Sequence, residues 1–310
     1  MSARLTAHLK NGVRTLSQLE DVSQLSPIVW RILAQNPGAY TLQGTCTYLV
    51  GSGKKRLLID TGDAFSSEAY LEKLSEALER SGAEGLDGII ITHWHHDHLG
   101  GVPGVQSKYG PVPVYKNLPE VEEAKFGDGE MSISAYESWP KEKFTPIFDG
   151  DILKTEGASL KAILAPGHAN DLCVFVLLEE KSAMFTSDNV LGEGTGVILN
   201  LREYLHSLRK MKAEKPSRLY PGHGQIIEDG PALIEEYIAH RMKRVDEVLK
   251  VIQESRNGAL SVEDIAKQVY GELPQSLFPP AMWNVKMALD VLLAESKCES
   301  DENMKWKARI

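Results

Sequence analysis

The segment Thr92-His93-Trp94-His95-His96-Asp97-His98 places four imidazoles and one carboxylate within six residues. Imidazole and carboxylate are the groups that zinc and related divalent ions take as ligands. The apolar run Gly88-Ile89-Ile90-Ile91 just before it reads as a buried strand, and Gly100-Gly101 just after it reads as a turn. The cluster therefore lies in a loop past a strand end, where α/β proteins keep their chemistry. His93 and His95 are two apart, as are His95 and Asp97, and in an extended segment such residues point the same way. Asp97 and His98 are adjacent and point apart, toward a second centre. The spacing reads as ligands for two ions, with His93 and His95 on one, Asp97 and His98 on the other, and His96 on neither. A loop whose histidines merely cap or hydrogen-bond is a poor account of so dense a cluster.

One loop cannot supply every ligand of a two-ion site. Three later positions share its local setting. His168 lies in Pro166-Gly167-His168, after the strand-like Leu160 to Leu164. Asp188 lies in Thr186-Ser187-Asp188-Asn189, after Ala183-Met184-Phe185. His223 lies in Pro221-Gly222-His223-Gly224, after Arg218-Leu219-Tyr220. Tight turns rich in Pro and Gly hold a ligand rigidly and let backbone approach an ion. Each alone would pass for an ordinary turn. Together, in this order, they complete a ligand set.

The set resembles the metallo-β-lactamase superfamily, whose His-x-His-x-Asp-His pattern is followed by a distant His, Asp and His. The resemblance runs from roughly Ile32 to His240. It implies that His93, His95 and His168 hold one metal, that Asp97, His98 and His223 hold the other, and that Asp188 bridges them. It implies two zinc ions, with manganese or iron as alternatives. Leu57-Leu58-Ile59-Asp60-Thr61-Gly62 matches too, and Asp60 in that motif orients ligands from behind. The other reading of Asp60 is a strand-end residue capping a turn. Asn36-Pro37-Gly38, Thr41 to Thr45, Thr47 to Gly51, Asp188 to Gly192 and Lys305-Trp306-Lys307-Ala308 look like one eukaryotic subgroup. That subgroup holds lactamase-beta-2-like proteins, described as single-strand endoribonucleases, and fungal thioesterases that release polyketides from acyl carrier proteins. The chain departs from the subgroup pattern at Cys46, at Ala169 to Leu172 and at Val197 to Leu201. None of these removes a ligand.

Elements must position these groups. Strand-like segments at Val29 to Leu33, Thr47 to Val50 and Arg56 to Ile59 precede a helix at Ser66 to Ser81, whose Tyr70, Leu71, Leu74, Ala77 and Leu78 form one stripe. Strands resume at Val112 to Tyr115, Ala162 to Leu164, Val174 to Leu178 and Ala183 to Phe185, followed by helices at Leu201 to Met211 and Pro231 to Glu254. Periodicity alone gives mixed α and β; the resemblance implies an αββα sandwich with the metals at one edge. Residues 1–25 read as a polar lead-in; the resemblance implies a catalytic domain over 26–249 and a winged-helix-like module over 250–310. That module should contain a capped helix from Ser261, a helix at Pro280 to Ser296 and a terminal hairpin. Residues 116–148, broken by five Gly and Pro, read as a long loop near the site.

At 310 residues, with 42% hydrophobic and 25% charged content, the chain suits a large soluble domain plus a small one. No apolar run approaches the ~20 residues of a bilayer span, which argues against a membrane partner. Cys46, Cys173 and Cys298 are scattered and read as free thiols in a reducing compartment. The N-terminus lacks an apolar signal core, and the cytosol is expected. Its Arg4, Lys10 and Arg14, with no acid before Glu20, make a mitochondrial presequence the alternative. The net charge of −9 removes the simplest electrostatic case for RNA as a partner. Residues 250–310 hold 8 Lys/Arg against 9 Asp/Glu, a net of −1, which favours a packing module or a homodimer contact over a nucleic-acid reader.

Two adjacent dications would lower the pKa of a bridging water, so that hydroxide exists near neutral pH. Asp97 and Asp188 are the candidate proton acceptors. The expected function is therefore a zinc-dependent hydrolase, foremost a thioesterase acting on an acyl chain held by a carrier protein or small thiol. The alternatives are a metal-dependent endoribonuclease on single-stranded RNA, a glyoxalase-type thioester hydrolase, and a scaffold that keeps metals for structure.

Overall fold

The computed structural model describes residues 9–10, 13–14, 16–119, 143–255 and 258–309. Two sheets face each other. The first has seven strands in chain order: β1 (Val22–Ser26), β2 (Val29–Leu33), β3 (Cys46–Val50), β4 (Lys55–Ile59), β5 (Gly85–Ile91), β6 (Val114–Lys116) and β7 (Thr145–Pro146). Its first four strands pair antiparallel and the rest parallel. The second sheet has five: β8 (Ile152–Thr155), β9 (Ala158–Leu164), β10 (Cys173–Leu177), β11 (Ala183–Ser187) and β12 (Leu219–Pro221). Only the β11–β12 pair is parallel.

Alternation along the strands explains the layering. Val29, Leu33, Cys46, Tyr48, Val50, Leu57, Ile59 and Ile90 point between the sheets, onto Phe175, Leu177 and Phe185 of the second sheet. Their neighbours Trp30, Ile32, Leu49, Leu58, Ile89 and Ile91 point outward. There they meet α1 (Ser67–Ser81) and α3 (Val102–Tyr109). Both faces are covered, so these strands read as continuous apolar runs. The stripe expected on α1 is the face it buries, through Tyr70, Leu74, Ala77 and Leu78. The outer face of the second sheet is covered by α4 (Leu201–Ala213) and α5 (Gly230–Glu254). The αββα sandwich is thus present.

Several elements differ from the sequence reading. Val22–Ser26, assigned to the lead-in, is an edge strand with Val22 buried; its polar exposed residues hid the pairing. The Gly100-Gly101 turn leads directly into α3, whose Pro103 and Gly104 read as breakers. Gly104 is there because α3 crosses α1 closely: a Cβ would lie 2.2 Å from Ser67 Oγ. Most of the expected loop over 116–148 lies outside the described residues. Within residues 258–309 stand α6 (Val262–Tyr270), with a Ser261/Asp264 capping box, α7 (Phe278–Ala294), and a hairpin of Cys298–Ser300 with Trp306–Ala308. Val285, Leu289, Leu292 and Trp306 share one hydrophobic cluster with Val174 and Val176 of the second sheet. Among the described residues, no helix is long and apolar enough to cross a membrane.

Three of the polar links between the sheets lie close together at one edge. Cys46 N donates to Gly222 O at 2.7 Å, and Cys173 N donates to Thr92 O at 2.9 Å. The third is a fully buried ion pair, Lys116 Nζ to Asp171 Oδ2, between the end of β6 and the turn after His168. Asn117 Nδ2 also donates to Asp171 O at 3.2 Å. Removing one member of such a pair leaves an uncompensated charge in low dielectric. Asp171→Ala is therefore expected to lower the unfolding free energy by about 3–5 kcal/mol. The double replacement Lys116→Met/Asp171→Leu should recover most of that loss in denaturant titration. A single variant as stable as the parent would show that water reaches the pair.

Candidate metal centre

All seven ligands proposed from sequence converge at this edge. His93, His95, His168 and Asp188 form one group and Asp97, His98 and His223 another, with the facing ligand atoms of each group within 4.8 Å of one another. His95 Nδ1 lies 2.8 Å from His93 Nε2 and 3.0 Å from His168 Nε2. Asp188 Oδ2 is 3.4 Å from His168 Nε2, while its Oδ1 is 3.5 Å from His98 Nε2 and 3.3 Å from His223 Nε2. One carboxylate therefore faces both groups with different oxygens. Asp97 Oδ2 is 3.3 Å from His98 Nε2 and from His223 Nε2.

The local backbone explains the grouping and corrects one expectation. The segment is not extended throughout: His95 is extended, and α2 (His96–Leu99) begins one residue later. Alternation therefore cannot sort Asp97 from His98. The helical turn instead sends both to the same group and leaves His96 exposed. The Pro-Gly-His turn works by close approach. A Cβ on Gly222 would lie 2.3 Å from Asp188 Oδ1 and 3.1 Å from His98 Cε1. Of the remaining histidines, His206 is exposed and His240 is half-buried on α5.

Hydrogen bonds behind the rings fix which nitrogen faces inward. Asp60 Oδ1 accepts from Thr92 N, and Oδ2 accepts from Thr92 Oγ1, both at 2.9 Å. Asp60 Oδ2 also accepts from His98 Nδ1 at 2.7 Å. Asp60 thus orients a candidate ligand and its neighbouring strand end. It does so from a left-handed backbone, φ +59°. With its proton given to Asp60, Thr92 Oγ1 accepts from His93 Nδ1 at 3.1 Å. His168 Nδ1 donates to Val197 O at 2.7 Å. In these tautomers the Nε2 lone pairs of His93, His98 and His168 all point into the site.

Such an arrangement fits a cation. The buried His98 Nε2 and Asp188 Oδ1, both facing the site, have no hydrogen-bond partner. Three inward imidazole nitrogens at about hydrogen-bond distance cannot all be satisfied by one another. Without a cation, protons must take its place. Burial lowers the pKa of His98, yet the carboxylates of Asp97, Asp60 and Asp188 outweigh it and hold the ring well above the ordinary histidine value. Burial likewise opposes charge on His223, but Asp188 and Asp97 raise it to about 9. His93 and His95 go the other way: burial, reinforced by neighbouring imidazoles, keeps His93 well below normal and His95 at about 3.

Sequence reasoning did not single out Thr45, Thr92, Ser187 or the Val197 carbonyl. Thr45 Oγ1 donates to Asp97 Oδ2 at 2.9 Å, and Asn36 positions Thr45 through both its backbone N and its hydroxyl. Ser187 Oγ lies 2.8 Å from Thr92 Oγ1. Thr92 and Ser187 each adjoin a ligand in sequence, and that adjacency was the available signal. Nothing in the sequence marks the Val197 carbonyl.

Without metal, the contribution of His223 to stability is full below 6.5 and is lost as pH rises through about 9. A cation must displace the protons on His98 and His223. Zinc loading at pH 7 is expected to release roughly two protons, read by calorimetry in buffers of different ionisation enthalpy. Identical heats in every buffer would contradict this account of the site.

Comparison with known proteins agrees with the geometry. A profile described as the metallo-beta-lactamase superfamily matches residues 40–223. "Beta-lactamase-like protein 2 homolog" of Caenorhabditis elegans is 37% identical over 297 residues, covering 94% of each chain. "Atrochrysone carboxyl ACP thioesterase dmxR1" of Cryptosporiopsis sp. is 36% identical over 276 residues, covering 86% of this chain and 79% of its own. The crystal structure of a beta-lactamase domain protein from Burkholderia ambifaria superposes with a TM-score of 0.73 at 18% identity, covering 93% of both chains, and speaks to the fold alone. With a family profile spanning all seven converging side chains and relatives of this identity along most of its length, the chain belongs to the metallo-beta-lactamase superfamily, as a hydrolase.

Proposed function

We propose that the protein is a binuclear zinc thioesterase acting on acyl thioesters of a carrier protein or small thiol, with manganese or iron as alternative ions. The observation that carries the binuclear reading is the two-sided placement of Asp188, with Oδ2 toward the His93, His95 and His168 group and Oδ1 toward His98 and His223. In this reading His93, His95 and His168 hold one ion, Asp97, His98 and His223 hold the other, and Asp188 serves both. The choice of thioester is supported by the relative named as an acyl carrier protein thioesterase and by the acidic balance of −9, which suits a grip on RNA phosphates poorly. We read residues 26–249 as the catalytic unit and 250–310 as a winged-helix-like packing module.

The ions, when bound, supply Lewis acidity and a water made acidic enough to be a nucleophile near neutral pH. The chain's own groups do the rest. Asp97 directs Oδ2 at His98, His223 and Thr45, leaving Oδ1 to accept the proton of the attacking water. Asp60 holds His98 through Nδ1, and Thr92 holds His93.

Purified zinc-loaded protein should hydrolyse acyl thioesters and leave single-stranded RNA intact. His93→Ala should lower kcat/KM on the thioester by on the order of a thousandfold. RNA cleavage that disappears in the variant, without thioester turnover, would establish the nuclease reading instead. Asp60→Asn presents an amide donor to two donors, Thr92 Oγ1 and His98 Nδ1. It should cost about 10–100-fold in zinc affinity or activity, measured by competition with a chromogenic chelator. Unchanged affinity and activity would leave Asp60 as a turn residue only.

A further inference from the structure

A concavity of about 190 Å³ is lined by Ile198, one residue from the Val197 carbonyl that holds His168. It is smaller than the roughly 300–1,000 Å³ that encloses a whole drug-sized ligand, so it suits a headgroup. Arg241, Lys243 and Arg244 of α5 line it, opposed by Glu247 alone, a local net of +2 in a chain of −9. Tyr270 from α6 and Asn284 from α7 complete the walls.

The cations are held ready. The Arg244 guanidinium lies over the Tyr270 ring at 4.2 Å and donates to Glu247 Oε2 at 2.6 Å. Arg241 Nη2 donates to Gly196 O at 3.0 Å, while its Nε is buried without a partner. His240 Nδ1, also on this wall, is buried and unpartnered. Burial first, then Arg241, Arg244 and Lys243, lowers the pKa of that imidazole, as a positive field does. Arg forks beside neutral donors suit a tetrahedral oxyanion.

The recess and the centre share one wall. Gly196 binds Arg241, Val197 binds His168 on the other side, and Ile198 lines the recess. Val197 forms the exposed crest between them. We propose that this recess is a phosphate subsite for the thiol-bearing arm of the substrate, a phosphopantetheine thioester whose arm crosses the Val197 crest. The proposal rests on the thioesterase reading above. An arm built around two amides spans on the order of 15 Å when extended, and the wall it crosses is the three-residue stretch 196–198.

Two thioesters of one acyl group provide the test: acyl-4′-phosphopantetheine and acyl-pantetheine, which lacks the phosphate. In the zinc-loaded parent the KM of the phosphorylated form is expected to be about tenfold lower. Arg244→Gln should bring the KM ratio close to one. Lys243→Gln, at the exposed rim, should also shrink the ratio and serves if Arg244→Gln does not fold. Equal KM values in the parent would overturn the subsite and leave the thioesterase reading standing. Hydrolysis of neither compound would overturn that reading, and inorganic phosphate then decides the recess. Thermal protection of the parent but not of Arg244→Gln would uphold an anion site; protection of neither would remove it. Single-stranded RNA that displaces phosphate from the recess where phosphopantetheine fails would overturn assignment to a thiol arm.

Discussion

The structure depends on holding groups together that repel or leave one another unsatisfied unless something positive lies between them. Imidazole nitrogens of His93, His95 and His168 and carboxylate oxygens of Asp97 and Asp188 face inward at an edge of low water access. Buried lone pairs and charges in such a setting cost several kcal/mol unless matched. The protein sustains the arrangement through bonds on the far side of three of the rings: Asp60 behind His98, Thr92 behind His93, the Val197 carbonyl behind His168. Asp60 and Thr92 are buried and bonded to each other, and each of the three supports fixes a tautomer as well as a direction.

The sandwich turns that local requirement into an architecture. The candidate ligands come from strand ends and turns of both sheets, and the edge is closed by main-chain bonds from Cys46 to Gly222 and from Cys173 to Thr92. Asp60 and Ser187 both adopt left-handed backbone at the ends of their strands. For non-glycine residues that conformation is uncommon and costs free energy. It persists here because each side chain is tied into the network around Thr92.

Much of this was legible in the sequence because the determinants are local. Short, largely apolar runs mark β2 to β5, and a clear polar–apolar division marks α1. The ligands announce themselves because His and Asp follow strand-like runs within Gly- and Pro-rich turns. What escaped was decided by tertiary contact. Val22–Ser26 is a strand because an edge was open beside Val29–Leu33, and its own residues carry little signal. Val102–Tyr109 is helical despite Pro103 and Gly104 because that glycine permits the crossing with α1. The supporting hydroxyl of Thr45 lies 52 residues from Asp97, a distance no local pattern spans. The basic recess joins Arg244 of α5 to Tyr270 and Asn284, 26 and 40 positions further on, and depends on how α6 and α7 pack.

The single apolar cluster joining Val174 and Val176 to Trp306 has a consequence for biogenesis. The cluster outside the first sheet draws only on residues 22–144, so that layer can consolidate while the rest of the chain is still being translated. The layer outside the second sheet waits for Val285 to Trp306. Residue 223, the last of the seven, therefore emerges well before its surroundings are sealed. All seven converging side chains can therefore be in place before the outer layer of the second sheet is complete.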